Sequence, residues 1–308
     1  MNIVVIIVTY NGMKWYQRCF DSLRASSVPV KAVVIDNLSS DGTREYIKEN
    51  YPEIHLIESE SNLGFGKANN IGFKYAIEQH ADYVFLLNQD AWVMPDTFEI
   101  LCRQLQKNPE YGILSPIHLN GTGKELDFNF SYYVIDEWCP DLVSDFVLKG
   151  KAEDRIYPVK FINAALWMMS RECVDKIGGF DPLFPHYGED VNYIERLQFH
   201  GYKLGIYPHT FGVHDRVRGA GKTPTTKQIK SREIASLMTH LTNPFASFWP
   251  NTIRTLINYS LQSGVNNLLR LSFRGLWINT CVTFKVLALL SKVKRNRDIA
   301  KQKGQSFL

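Results

Sequence analysis

Ile3-Val4-Val5-Ile6-Ile7-Val8 is a run of six β-branched residues with no polar alternation. A strand with one wet face would alternate, so this run reads as a strand buried on both faces at the centre of a parallel sheet. The pattern extends outward from it. After the turn-forming Asn11-Gly12, Trp15, Cys19 and Leu23 recur with Tyr16 and Phe20 at helical spacing. Ala32-Val33-Val34-Ile35 is a second strand. Asn37, Ser39, Ser40 and Asp41 then provide cap-type residues before a short helix through Tyr46 and Ile47. A strand at 54–57, a helix carrying Ala68, Ile71, Tyr75 and Ala76, and a strand at 83–87 repeat the rhythm. Pro95 suits the first turn of a further helix with Phe98, Leu101 and Leu105. Alternating strands and helices predict a doubly wound α/β domain that binds ligands outside the carboxyl ends of its strands.

Between about residues 120 and 157 the periodicity fades into a polar and aromatic insertion with Phe128, Phe130, Tyr132, Tyr133 and Trp138. A strand is expected over 161–169. Ser170 then caps a short helix that stops at Gly178-Gly179, and another helix runs from Glu189 to about residue 200. The last strand is expected over 203–207.

The chain has 308 residues, 45% hydrophobic and 21% charged, which excludes disordered and low-complexity classes. Its five cysteines are scattered and form no CxxC pair, against a disulfide scaffold or zinc ribbon and in keeping with a reducing, cytoplasmic setting. No secretory leader is read at the start, and no stretch of about 18 uncharged apolar residues suggests a spanning helix. The charge is divided unevenly. Residues 223–308 carry 13 Lys/Arg against two acids, Glu233 and Asp298, for +11; residues 1–222 carry 22 basic against 29 acidic residues, for −7. The expected organisation is therefore an α/β domain over 1–222 followed by a basic helical region over 223–308.

Polar residues close each early strand: Thr9-Tyr10-Asn11, Asp36-Asn37, the stretch Asn62-Leu63-Gly64-Phe65-Gly66-Lys67-Ala68-Asn69-Asn70, and Asn88-Gln89-Asp90. A doubly wound sheet gathers such ends into one crevice. Dinucleotide binding fits poorly, because the first strand-to-helix turn lacks GxGxxG, and no GxxxxGK[ST] phosphate loop is present. A carboxylate at the end of a buried strand, Asp90, suits a hard cation such as Mg²⁺ or Mn²⁺ held mainly by phosphate and water.

Together with Gly178-Gly179-Phe180-Asp181 and Gly188-Glu189-Asp190-Val191, these motifs make residues 1–216 resemble family 2 glycosyltransferases. The likeness is strongest to the rhamnosyltransferase-like branch that builds bacterial surface polysaccharides. The resemblance implies a GT-A fold: a Rossmann-like, mostly parallel sheet flanked by helices, here with a C-terminal helical extension, and it makes 1–222 a catalytic domain with a nucleotide half to about 118 and an acceptor half over about 119–222. It also implies an inverting reaction on a nucleoside-diphosphate sugar, UDP- or dTDP-linked and rhamnose among the candidates, and a glycan or lipid-linked glycan acceptor. Thr9, Tyr10 and Asn11 would line the base pocket, Asp36 would accept from the imide N–H of uracil or thymine, and Asn69 would help hold the nucleotide. Asn37, Gly66, Asn88 and Gln89 complete that set. Asp90 would be the retained metal carboxylate and His214 its distal partner; Asn88 stands where many members have Asp, with one charge fewer. Asp190 would be the general base, with Glu189 positioning it or the acceptor. Such chemistry needs a base and a cation but no acid, unlike a glycosidase.

Two alternatives compete with this reading. A nucleotidyltransferase would need a glycine- and lysine-rich signature that residues 8–12 do not supply. A catalytically silent nucleotide-sugar- or glycan-binding protein would have no use for Asp90, Glu189, Asp190 and His214. Beyond residue 223, apolar helical patterns precede Lys292, Lys294, Arg295, Arg297, Lys301 and Lys303. These fit either an amphipathic helix on an anionic membrane surface, peripheral at the inner face of the plasma membrane, or a helical pack on the catalytic domain. No RNA or DNA module is present, so nucleic acid is not an expected partner; a homo-oligomer is compatible with the sequence.

Overall fold

The computed structural model describes residues 1–216 and 223–308. The expected α/β alternation is present from the start: β1 (Ile3–Thr9), α1 (Met13–Arg24), β2 (Lys31–Asp36), α2 (Thr43–Asn50), β3 (His55–Glu58), α3 (Phe65–Glu78) and β4 (Tyr83–Asn88). There follow β5 (Ala91–Val93), α4 (Thr97–Lys107) and β6 (Tyr111–Leu119). The insertion holds α5 (Phe128–Tyr133), α6 (Leu142–Lys149) and β7 (Tyr157–Pro158). Beyond it lie β8 (Leu166–Ser170), α7 (Arg171–Ile177), α8 (Glu189–Phe199) and β9 (Lys203–His214). Three helices close the chain, α9 (Thr226–Thr242), α10 (Phe248–Leu269) and α11 (Phe273–Ala300).

The strands form one mixed sheet in the order β3-β2-β1-β4-β8-β6-β9-β5, with β7 beside β9. The first four strands are parallel, β8 runs antiparallel between β4 and β6, and β6 and β9 are parallel again. β1 lies inside the sheet and sends alternate residues to two separate cores. Val4 and Ile6 join Phe73, Trp167 and Tyr193 on one face, while Ile3, Val5 and Ile7 join Phe20, Phe85 and Phe98 on the other. Each such side chain is fully buried, worth roughly 1.5–3 kcal/mol against exposure. This is the physical content of an unbroken apolar run.

Five strands depart from the sequence expectation, which held neither the short β5 nor the two-residue β7. β6 was not anticipated, because Gly112 and Pro116 interrupt its pattern; register irregularities between Tyr111 and Ile113 and between Ser115 and Ile117 accommodate them. β8 begins at Leu166 rather than 161, and β9 continues past Pro208 to His214.

The boundary expected after residue 222 falls on 217–222, outside the described residues. Beyond it, Leu237, Met238 and Leu241 of α9 and Ile278, Val282, Val286 and Val293 of α11 enclose a third core that reaches Phe184. The end of α11 returns to the catalytic sheet. Asn296 Nδ2 donates to Asp181 Oδ1 at 2.6 Å, and Gly179 N donates to the Ser306 carbonyl at 2.8 Å. Gly178 has φ +80°, and a Cβ there would run into the Ser306 backbone.

Candidate functional site

The parallel register sets Thr9 beside Asp36 and Val8 beside Asn88, so the ends of three strands stand level. Their loops are stitched by polar side chains. Tyr10 N donates to Gln89 Oε1 at 2.8 Å, and Gln89 Nε2 donates back to the Tyr10 carbonyl at 3.2 Å. Asn11 takes a positive φ of 50°, donates its N–H to Ser39 Oγ at 3.0 Å and accepts from Ser40 N at 2.8 Å. Asn37 Oδ1 accepts from Leu63 N at 2.7 Å and its amide donates to Asn62 at 3.1 Å, tying the second loop to the third.

Asp36 is fully buried. Arg44 Nε donates to its Oδ2 at 2.6 Å, while Oδ1 accepts only long bonds, from Thr9 Oγ1 at 3.3 Å and Ser39 N at 3.4 Å. The sequence reading missed Arg44, whose signal was a cation eight residues after a buried carboxylate. Asn69 is turned into its own helix, donating to the Phe65 carbonyl at 2.9 Å. Its neighbour Asn70, not singled out before, bonds the N–H and carbonyl of Phe180 at 2.7 and 2.9 Å. Gly66 lets this loop approach the acids: a Cβ there would sit 3.0 Å from Phe180 Cβ and 3.8 Å from Glu189 Cβ.

β5 pairs with the end of β9, setting Ala91 opposite His214, and Asp215 N donates to the Asp90 carbonyl at 2.8 Å. This backbone frame brings His214 Nε2 to 3.3 Å from Asp90 Oδ1 and 3.4 Å from Asn88 Nδ2. Arg216 Nε donates to His214 Nδ1 at 3.2 Å, so the ring proton of a neutral imidazole lies on Nε2, toward Asp90. Behind it stands His118, buried and bonded to Ser115 Oγ at 2.8 Å; burial holds its imidazole well below the usual range. Among the described residues no group of three or more His, Cys, Asp or Glu forms a metal cage. One carboxylate and one imidazole side by side match a cation whose remaining ligands are phosphate and water.

Glu189 and Asp190 open α8 after Gly188, which has φ +86°. Glu189 is buried with Oε2 unpartnered. Burial, then the adjacent Asp190 charge, pushes its carboxyl up to about 7. Asp190 is partly exposed and accepts from Val191 N at 2.8 Å; burial raises its pKa, against the pull of backbone N–H groups and of Arg216. Arg216 bonds His214 and lies 3.8 Å from Asp127 Oδ2. It too was missed, though it lies only two residues beyond His214. A cleft of about 990 Å³ opens beside it, with Phe128, Tyr187, His214, Asp215 and Arg232 in its walls. Trp15 Nε1 braces that wall through Asp215 Oδ2 at 3.0 Å.

The chain is similar to known proteins in both sequence and fold. Residues 4–177 match the family model described as glycosyl transferase family 2. An N-acetylglucosaminyl-diphospho-decaprenol L-rhamnosyltransferase of Mycobacterium tuberculosis is 23% identical over 296 residues, covering 88% of this chain and 94% of that protein. Among solved structures, S. aureus TarS with UDP-GlcNAc superposes with a TM-score of 0.57 at 13% identity, over 98% of this chain and 87% of that one. A mannosyltransferase of Pyrobaculum calidifontis with GDP-Man and Mn²⁺ gives 0.54 at 17% identity, over 94% and 87%. With a GT-A sheet, the strand-end loops in place and the family model matched over more than half its length, the chain belongs to glycosyltransferase family 2 and is a glycosyltransferase.

Proposed function

We propose that the protein transfers a sugar, with inversion, from a UDP- or dTDP-linked donor to a hydroxyl of a lipid-linked glycan. The observation that carries this reading is the Asp90–His214 pair, 3.3 Å apart at the strand ends and backed by Arg216 on His214 Nδ1. The nucleotide would occupy the crevice between the loops after β1 and β2. Tyr10 offers an exposed ring there, and Oδ1 of Asp36, with its two long bonds, is the acceptor left for a base imide. Asn88 and Gln89 would lie beneath the diphosphate, Asn37 ties the second loop to the third, and Gly66 and Asn69 would stand beside the nucleotide.

Asp90 and His214 would hold a divalent cation, Mg²⁺ or Mn²⁺, which would supply charge neutralisation for the departing diphosphate. The Mn²⁺ in the Pyrobaculum neighbour supports this choice of ligand. Asp190 takes the acceptor hydroxyl proton as that oxygen bonds the anomeric carbon and the bond from that carbon to the diphosphate oxygen breaks. A carboxylate held above its ordinary pKa is the better base. Glu189, buried beside Asp190, would position it or the acceptor. The printed name of the mycobacterial relative supports a diphospho-lipid-linked sugar as acceptor and rhamnose as the transferred unit, hence a role in surface polysaccharide assembly at the cytoplasmic face of a membrane.

The test is turnover of UDP- and dTDP-sugars, with Mn²⁺ or Mg²⁺ and a diphospho-lipid-linked sugar. Transfer from one donor, lost on chelation and recovered with metal, is expected. Nucleotide binding without hydrolysis or transfer across the panel would instead favour a silent binding protein.

A further inference from the structure

α10 is 22 residues long, yet Thr252 is its one buried residue. Trp249, Ile253, Ile257, Leu261 and Val265 recur every fourth position and are each 49–60% exposed. α11 is two-sided. Ile278, Val282, Val286 and Val293 face the helical core, while the other side shows Phe273, Trp277 and Phe284 and then, three turns on, Arg295. The two helices pack on each other, with Asn279 Nδ2 donating to the Tyr259 carbonyl at 3.4 Å, so both rows belong to one hairpin. α11 is long and apolar enough to cross a membrane by length and composition, and only 28% of that stretch is buried. Crossing would strip Val282 and Val286 from Met238 and Leu241, and would pull away Asn296 and Arg297, which bond Asp181 and the Asn243 carbonyl.

Charge identifies what covers this face. Between Glu233 and Asp298 the chain has no acid, and exposed Arg254, Arg270, Arg274 and Lys285 lie along the hairpin. A second copy would set +11 against +11, whereas an anionic bilayer meets apolar rows and cations together.

We propose that the α10–α11 hairpin lies flat on an anionic bilayer, with the Trp249–Ile257–Leu261 row and Phe273, Trp277 and Phe284 sunk into the headgroup boundary. Lys292, Lys294 and Arg295 stay at the surface, and α11 does not span. The sequence alone put this weight on the polybasic end of α11; the geometry moves it to α10, because Asn296, Arg297 and Ala300 are buried against the rest of the molecule.

Flotation of the full chain with vesicles tests this without any substrate, so failure of the transferase reading leaves the outcome untouched. Recovery should be roughly tenfold or more higher with phosphatidylglycerol-containing than with phosphatidylcholine vesicles, and should fall with salt. Ile257→Glu with Leu261→Glu should abolish it while circular dichroism and donor hydrolysis stay unchanged. Brominated lipid should quench the wild-type fluorescence and quench the Trp249→Phe, Trp277→Phe protein much less. Absence of flotation, flotation that survives the glutamate pair, or a lipid-free dimer that the pair dissolves would each overturn the proposal.

Discussion

The sheet and the C-terminal hairpin use similar apolar residues to opposite ends. In β1 every side chain from Ile3 to Ile7 is buried on one face or the other, whereas along α10 the apolar row points outward. In the first, burial is completed by folding; in the second, it awaits a surface. Apolar content alone therefore says little about stability until it is known which face has been covered.

The largest expected effect lies at the site the sheet builds. Asp190→Asn should lower transfer by about 10²–10⁴-fold while leaving nucleotide binding near wild type; near-normal transfer would remove Asp190 as base. The contrast itself is tested by truncation on each side of it. Phe85, buried and 5.0 Å edge-on to Phe98, should cost about 3–5 kcal/mol on Phe85→Ala by denaturant unfolding. Leu261→Ala should stay within about 0.5 kcal/mol. Similar losses at both positions would erase the distinction.

Glu189 sharpens it through pH. Its folded pKa of about 7 lies above the ordinary carboxyl value of 4.5, so the folded state holds the extra proton between those values. Stability is lost as pH rises through that window. Glu189→Gln should raise stability at pH 8 by up to about 3 kcal/mol and change little at pH 4. A flat difference between the two pH values would count against a buried, proton-holding Glu189. An intermediate loss is expected at Asn70→Ala, which leaves both backbone groups of Phe180 without this partner, at roughly 1–3 kcal/mol by denaturant unfolding.

What could be read from the sequence follows the same division. β1 through β4 were legible because an uninterrupted β-branched run has one physical solution, and the strand-end residues Thr9, Asp36, Asn88 and Asp90 followed from it. β6 was not, since Pro116 and Gly112 break the pattern on which strand recognition depends. Arg44 and Arg216 were overlooked because an isolated arginine carries no periodic signal; only the fold shows that one meets Asp36 and the other His214. Whether the polybasic end of α11 met a membrane or packed on the catalytic domain stayed open for the complementary reason, since spacing cannot show that Asn296 and Arg297 turn toward Asp181 and Asn243.

The bond from Asn296 to Asp181 and that from Gly179 to Ser306 span more than a hundred residues each. During synthesis the early strands can therefore pair well before the segment leading to Glu189 has its clasp. Closing so distant a loop is entropically costly and late. Asp190, the proposed base, is thus attached to the portion of the molecule that matures last.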